Sequence, residues 1–448
     1  MSTTISIDRF RELHRGPLIA PDEPGYDRAR ETFNALTDNH PAVIVRPVDT
    51  RDVVAAVRFA RASGLPISVR GGGHSVAGHS VGEGSVMIDL RLLRDVAVDV
   101  EACTASVGGG ACWSDVDART NGFGLAVPGG TYGDTGVAGL ALTGGIGHLT
   151  GLHGMTLDNI MAVEVVTAAG DVVRASTEEE PDLFWALRGG GGNFGVISEF
   201  TFRLHEVGPI AGGVLVHDVA DAPALLRAFR DMAHPDELTC MPQLLVTPLL
   251  GDARRVVFTS VAYVGSLDAA ARALAPLRDA APALLDTVAP TVYTHVQAIF
   301  PPIPFGLRNY WSGRFLPELP DAVIDAAVER FAANPIDSFS VVLFEPVHGA
   351  VRRVDPDATA FAFRGARFNV SAMAVWEDLV DDERELASIR DRLSELSAGG
   401  YLNYSTDDSP TTVRNAFGAE RYRRLAAIKA RWDPTNALRF NHNIPPAE

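Results

Sequence analysis

A run of three glycines that hands a histidine to the end of a strand, Val69-Arg70-Gly71-Gly72-Gly73-His74-Ser75-Val76-Ala77, constrains this chain more than any other stretch. Glycines, lacking Cβ atoms, let backbone N–H groups come close to a ligand's phosphates, and they present His74 as the nucleophile of the turn. The local alternative is a histidine that merely caps the turn or meets a phosphate. A second region, residues 128–154, holds ten glycines in 27 residues, too many for a continuous helix or strand. It must wrap a ligand or pack backbone on backbone.

The glycine run closes a β-α-β pattern. Ala42-Val43-Ile44-Val45 reads as a strand, Thr50 as the cap of a helix with Val53, Val57 and Ala60 on one face, Gly64 as its stop, and Ile67-Ser68-Val69 as the next strand. Crossover units of this kind place ligand loops at the C-terminal ends of strands, where His74 lies. Strands follow at 86–90 and 104–107, then a helix near 113–120, strands on both sides of the turn Ala169-Gly170-Asp171, a short helix at 181–187 ended by glycines, and a strand from Phe194 to Leu204. Beyond Gly208, amphipathic helices (222–233, 319–333) alternate with strands (340–345, 368–375), which reads as an α+β domain on one sheet. A last helix, 420–431, ends at Asp433-Pro434 before an extended tail.

At 448 residues, two domains or one domain split by an insertion is the expected organisation. The net charge of −17 disfavours nucleic acid and anionic membranes, both of which need clustered Lys and Arg, and leaves small molecules as partners. There is no run of ~18 apolar residues and no basic-then-apolar N-terminus, so the expected location is cytoplasmic. The three cysteines, Cys103, Cys112 and Cys240, suit a reducing compartment and form neither a metal-type pair nor a disulfide set. His79, His148 and His153 sit on glycine loops without the acids or thiolates of a zinc site, so no metal is expected. A nicotinamide enzyme is disfavoured because no strand-borne G-x-G-x-x-G with a following acid occurs.

Taken in order, Arg70-Gly71-Gly72-Gly73-His74-Ser75, the region Gly129 to Gly154, Leu157-Asp158-Asn159-Ile160, Gly192-Asn193-Phe194-Gly195-Val196, and Trp432-Asp433-Pro434 with Asn441-His442-Asn443-Ile444-Pro445 resemble the berberine-bridge-enzyme-like branch of the vanillyl-alcohol-oxidase flavoproteins, with a look of its bacterial 6-hydroxynicotine oxidases. The resemblance covers nearly the whole chain. It implies an α+β fold with a bipartite FAD-binding domain of the PCMH type (36–207), an inserted α+β substrate domain on a mostly antiparallel sheet (208–400), and a C-terminal segment (401–448) returning to the first domain. It also implies an 8α-histidyl bond from His74 to FAD. The residues that the resemblance assigns to the cofactor are Arg70, Gly71, Gly72, Gly73, Ser75, Gly78 and His79 in the first loop. In the second they are Gly130, Thr135, Gly136, Gly139, Thr143, Gly145 and Gly147, with Val196, Asn403 and Asn441 further on. Some relatives add a cysteinyl bond, but Tyr132 stands at or near that position and no cysteine lies between 113 and 239, so a single tether is expected.

The expected reaction is hydride transfer from an alcohol, amine or activated C–H of a small secondary-metabolite substrate, aromatic or otherwise, to flavin, while a base removes the neighbouring O–H or N–H proton. Dioxygen is the expected acceptor. The resemblance places Tyr401-Leu402-Asn403-Tyr404 against the flavin, with Tyr404 as the first candidate base, Tyr401 the second and Tyr132 the third. A phenol serves as base only if nearby positive charge lowers its pKa, and Arg352 or Arg353 would be the source. Three-residue spacing on an extended segment would turn Tyr401 and Tyr404 to opposite faces. The glutamate of plant relatives has no counterpart in 348–353. Tyr310-Trp311 form a candidate pocket pair or, alternatively, core aromatics. Two other readings stay open: a dehydrogenase with a different acceptor, and a flavin-holding protein without turnover.

Overall fold

The computed structural model describes residues 7–333, 340–377 and 400–448. The first lobe opens on a four-stranded sheet ordered Leu18–Ile19, Val43–Val45, Val86–Asp89, Ile67–Arg70. The strand Val86–Asp89 runs parallel to both neighbours and separates the two strands of the β-α-β unit. The connecting helix Thr50–Ser63 buries Val53, Ala56, Val57 and Ala60 against this sheet and stops at Gly64 in the left-handed region, as its sequence pattern requires. Its cap is Asp49 rather than Thr50: the Asp49 side chain accepts from the Asp52 N–H, and the Thr50 hydroxyl donates instead to Glu164 at 2.7 Å. A carboxylate one residue upstream outcompetes the hydroxyl.

A five-stranded antiparallel sheet completes the lobe, in the order Val96–Asp99, Thr104–Gly108, Val196–Arg203, Ile160–Val166, Val172–Ser176. The expected turn at Gly170 joins the last two strands.

The second lobe is one eight-stranded antiparallel sheet. Its strands include Ile210–Asp218, Leu238–Thr247, Arg254–Val264, Arg308–Leu316, Val341–Pro346 and Phe368–Trp376. Side chains alternate across each strand, so one face is fixed by the other. Leu238, Cys240, Leu244, Val342, Phe344, Phe368 and Val370 pack beneath three helices, Ala222–Asp231, Leu267–Ala280 and Asp321–Ala332. The opposite parity, Met241, Gln243, Val341, Leu343 and Met373, therefore faces the first lobe.

The chain then returns. The C-terminal helix Pro410–Trp432 starts ten residues before the expected 420, with a break at Gly418 (φ 74°) between its two parts. It carries Lys429, fully buried, whose ammonium reaches Asp433 at 2.7 Å, the Asn193 carbonyl at 2.6 Å and the Leu438 carbonyl at 3.0 Å. Asp433 in turn accepts from the Ala437 and Leu438 N–H groups. This cluster pins the tail to the loop around Asn193. Among the described residues no helix is long and apolar enough to cross a membrane.

Candidate active site

Between the two lobes lies a cavity of about 820 Å³, within the usual range for ligand pockets. One wall is made of the two glycine segments. They meet backbone on backbone: a Cβ at Gly72 would stand 2.4 Å from the Gly136 nitrogen, and one at Gly136 would stand 2.3 Å from the Gly72 nitrogen. Gly73 completes the turn at φ +85°, a conformation that side-chain-bearing residues rarely adopt. The result aims His74 into the cavity.

The His74 ring is held on three sides. It lies nearly flat on Phe33 (centroids 4.8 Å apart, 22° between planes), meets Phe305 edge-on, and its Nε2 is 3.1 Å from Asp134 Oδ2.

Of the residues expected around the ligand, Gly71, Gly72, Gly73, His74, Ser75, His79, Gly130, Tyr132, Thr135, Gly136, Gly139, Thr143, Asn403, Tyr404 and Asn441 line this cavity. Tyr401 is buried in the core beside the cavity without lining it, and five of the expected cofactor residues are placed elsewhere by their packing. The Arg70 guanidinium is buried away from it and donates to the carbonyls of Ala29, Arg30 and Glu31, clamping the N-terminal segment. Gly78 gives way to Thr37, Gly145 to Thr156, and Gly147 to the Gly129 carbonyl. The Val196 side chain belongs to the core of the first lobe, while its neighbours Gly195 and Ile197 reach the cavity. The other histidines are apart: His79 bonds Asp408, His148 bonds Gln297, and His153 stacks on His205.

The tyrosines differ from expectation in geometry and in charge. Leu402–Tyr404 forms a 3₁₀ turn, in which residues three apart share a side, so Tyr401 and Tyr404 sit together with ring centroids 4.7 Å apart. Gly313 makes room for them, since a Cβ there would lie 3.0 Å from that of Tyr404. Tyr401 is occupied: its oxygen accepts from the Gly145 N–H at 3.0 Å and the Asn403 amide at 3.1 Å. Tyr132 leans on Phe300, and burial, followed by Asp134, pushes its phenol up to about 12. Neither arginine expected to lower a phenol is set against one: Arg352 is exposed. Arg353 pairs with Asp236 at the surface, and burial together with Glu345 drives Tyr404 well above 10.

Glu345 is the residue the sequence reading missed. It stands three positions before the stretch 348–353 searched for an acid, on the cavity-facing parity of Val341–Pro346. Its carboxylate accepts from the Tyr404 hydroxyl at 3.2 Å and from the Asn369 amide at 2.6 Å. Burial lifts its pKa to about 7 against the pull of those two hydrogen bonds. The strand alternation Val341, Leu343, Glu345 was the available signal. Of the pair Tyr310-Trp311, only Trp311 faces the cavity; Tyr310 packs with Ala374 and Trp376 on the other side of the strand.

Two glycine-walled loops, a fixed imidazole and the Tyr404 phenol, backed by the buried Glu345, meet at one cavity between two lobes, the arrangement of a protein that takes a large ligand against close-approaching backbone. The FAD binding domain family matches residues 41–176, and the berberine and berberine-like family matches residues 400–445. (R)-6-Hydroxynicotine oxidase of Paenarthrobacter nicotinovorans is 33% identical over 96% of this chain and 97% of its own. The crystal structure of 6-hydroxy-D-nicotine oxidase from Arthrobacter nicotinovorans superposes with a TM-score of 0.86 at 31% identity, covering 97% of this chain and 98% of the other. Xylooligosaccharide oxidase from Myceliophthora thermophila shares the fold, with a TM-score of 0.87 at 23% identity and full coverage of both chains (100% each). This chain belongs to the berberine-bridge-enzyme-like family of FAD-linked oxidoreductases.

The residues present fit the cofactor. Asn441 Oδ1 and His442 Nδ1, at the cavity, are buried without a hydrogen-bond partner among the described residues, and Gly139 and Gly192 open onto space that any side chain would occupy. The close meeting of the two loops makes Gly72 sensitive. Gly72→Ala should destabilise the protein by about 1–3 kcal/mol through overpacking and lower the flavin-to-protein absorbance ratio after gel filtration several-fold; an unchanged ratio would show that the loops yield freely.

Proposed function

We propose that this chain oxidises a small, largely apolar substrate bearing an alcohol, amine or activated C–H group, using an FAD joined through His74 alone and passing the electrons to dioxygen. In this reading residues 36–207 and 401–448 hold the cofactor and 208–400 the substrate. The observation that carries it is the Tyr404–Glu345 pair at the edge of an apolar wall of Met241, Val341, Leu343, Met373 and Trp311, opposite the glycine loops.

FAD, when bound, supplies the hydride acceptor. Gly71, Gly72, Gly73, Gly136 and Gly139 would hold its phosphates, and His74 would tether its ring. Bonding an imidazole to the ring methyl withdraws electron density and fixes orientation, which favours a stronger oxidant. No cysteine is available between 113 and 239 for a second bond.

The proton is handled by this chain's own residues. A substrate O–H or N–H resting on the Tyr404 oxygen passes its proton to that oxygen as Tyr404 passes its own to Glu345 Oε1. Tyr404 alone is a poor base, its pKa being pushed well above 10; Glu345, near 7, accepts the proton at neutral pH. The apolar wall selects against sugars, because each hydroxyl buried there without a partner costs roughly 1–3 kcal/mol. A planar hydroxylated ring, like the one named for the nicotine oxidase relative, suits it better.

Acid-precipitated protein should stay yellow, and the tryptic peptide containing His74 should carry the flavin mass. Aromatic alcohols or amines should yield hydrogen peroxide where oligosaccharides do not. A colourless pellet with free FAD in the supernatant would remove the tether; flavin bleaching without peroxide in air would remove dioxygen as acceptor.

A further inference from the structure

The side chain that fixes His74 lies 60 residues away and has no place in the reading above. Asp134 sits on the turn 132–135, which is set against the start of the helix Trp113–Thr120 by two backbone bonds: Ser114 N–H to the Gly133 carbonyl at 2.7 Å and Trp113 N–H to the Thr135 carbonyl at 3.1 Å. One carboxylate oxygen, Oδ2, is 3.1 Å from His74 Nε2; the other, Oδ1, is buried without a partner among the described residues. A carboxylate only accepts hydrogen bonds, so Nε2 must carry the hydrogen. The tautomer is thereby set, and Nδ1 keeps its lone pair. Phe33 beneath the ring and Phe305 at its edge leave no free rotation about this axis.

We propose that Asp134 is the positioning residue for cofactor attachment, orienting His74 and receiving its Nε2 proton as Nδ1 bonds to the flavin. The proposal rests on the covalent reading of His74. Attachment forms one Nδ1–C bond and breaks one C–H bond of the ring methyl. The imidazole gains positive charge as that bond forms, and Asp134 offsets it by accepting the Nε2 proton; a carboxylate hydrogen-bonded behind a ligating histidine likewise fixes its tautomer and raises its basicity. The two electrons stay in the flavin ring until dioxygen takes them together with two protons, equal in number to the methyl and Nε2 protons released. In sum, ring–CH₃ plus imidazole–H plus O₂ gives ring–CH₂–imidazole plus H₂O₂.

The test compares covalent with total flavin in purified Asp134→Asn, Asp134→Glu and the parent, total flavin by absorbance before acid precipitation and covalent flavin by absorbance of the pellet and by mass of the His74 peptide. Asp134→Asn should bind FAD at close to the parent level while its covalent fraction falls tenfold or more, the order of effect typical when the partner orienting a histidine is removed. Asp134→Glu, which keeps the carboxylate, should recover part of it. A covalent fraction in Asp134→Asn equal to that of the parent would overturn the proposal. Should Asp134→Asn lose flavin of both kinds, Asp134→Glu decides: covalent flavin regained supports the role, and bound but wholly non-covalent flavin overturns it. A parent protein with only dissociable FAD would fail the His74 reading itself, a result distinct from failure at Asp134.

Discussion

Replacing Glu345 with glutamine should slow flavin reduction by about 10²- to 10⁴-fold, the usual range for a proton acceptor in the transition state, while leaving the cavity intact. The amide keeps an oxygen to accept from Tyr404 and Asn369, so the pair's geometry survives and its basicity does not. In the parent, reduction should rise with pH through a midpoint near 7, because Glu345 must be ionised to accept a proton and burial holds its pKa there. Glu345→Gln should lose that limb. Stability moves the other way. A carboxyl whose pKa is raised on folding stabilises fully below its ordinary value near ~4.5 and loses that contribution as pH rises through about 7, so the variant should be no easier to unfold than the parent at pH 8. Tyr404→Phe breaks the same path and should fall by at least about 10²-fold. Stopped-flow reduction across pH 5–9 checks the three kinetic expectations and a urea titration at pH 8 the fourth; a pH-independent parent rate would clear Glu345 of the role.

Lys429→Met should cost about 3–5 kcal/mol of folding stability, read from the urea midpoint at pH 7. The substitution matches the length of the stem but strips the ammonium from a fully buried cluster, leaving the Asp433 carboxylate without its cation, the Asn193 carbonyl without its lysine donor, and the Leu438 carbonyl with the Asn441 amide alone. Flavin should dissociate or fail to load in parallel, because Asn193, Leu438 and Asn441 all border the cavity. A loss below about 1 kcal/mol, the level of an exposed pair, would mean that water enters the cluster and substitutes for the lysine.

Much of the frame was legible because its signals are local. Apolar spacing of four and three placed the helices Thr50–Ser63 and Ala222–Asp231, and a glycine able to take positive φ marked where the first of them stops. The helix Pro410–Trp432 begins ten residues before the expected 420, and Gly418, a residue that often ends a helix, here bends a continuing element. The turn at Leu402–Tyr404 was read as extended, since nothing in four residues of sequence distinguishes a strand end from a 3₁₀ turn that Gly313 on another strand makes room for.

What the chain's order of residues settled on its own is the slimness of the loop before His74: three successive glycines leave the backbone free to turn and put no side chain in the way of close approach. The pairing of chemical groups was decided by the tertiary structure. Asp134 reaches His74 across 60 residues and Glu345 reaches Tyr404 across 59, and the raised pKa values of Glu345 and Tyr404 follow first from burial. Basicity at these sites is set by solvent exclusion and proximity, and both exist only once separate segments have packed together.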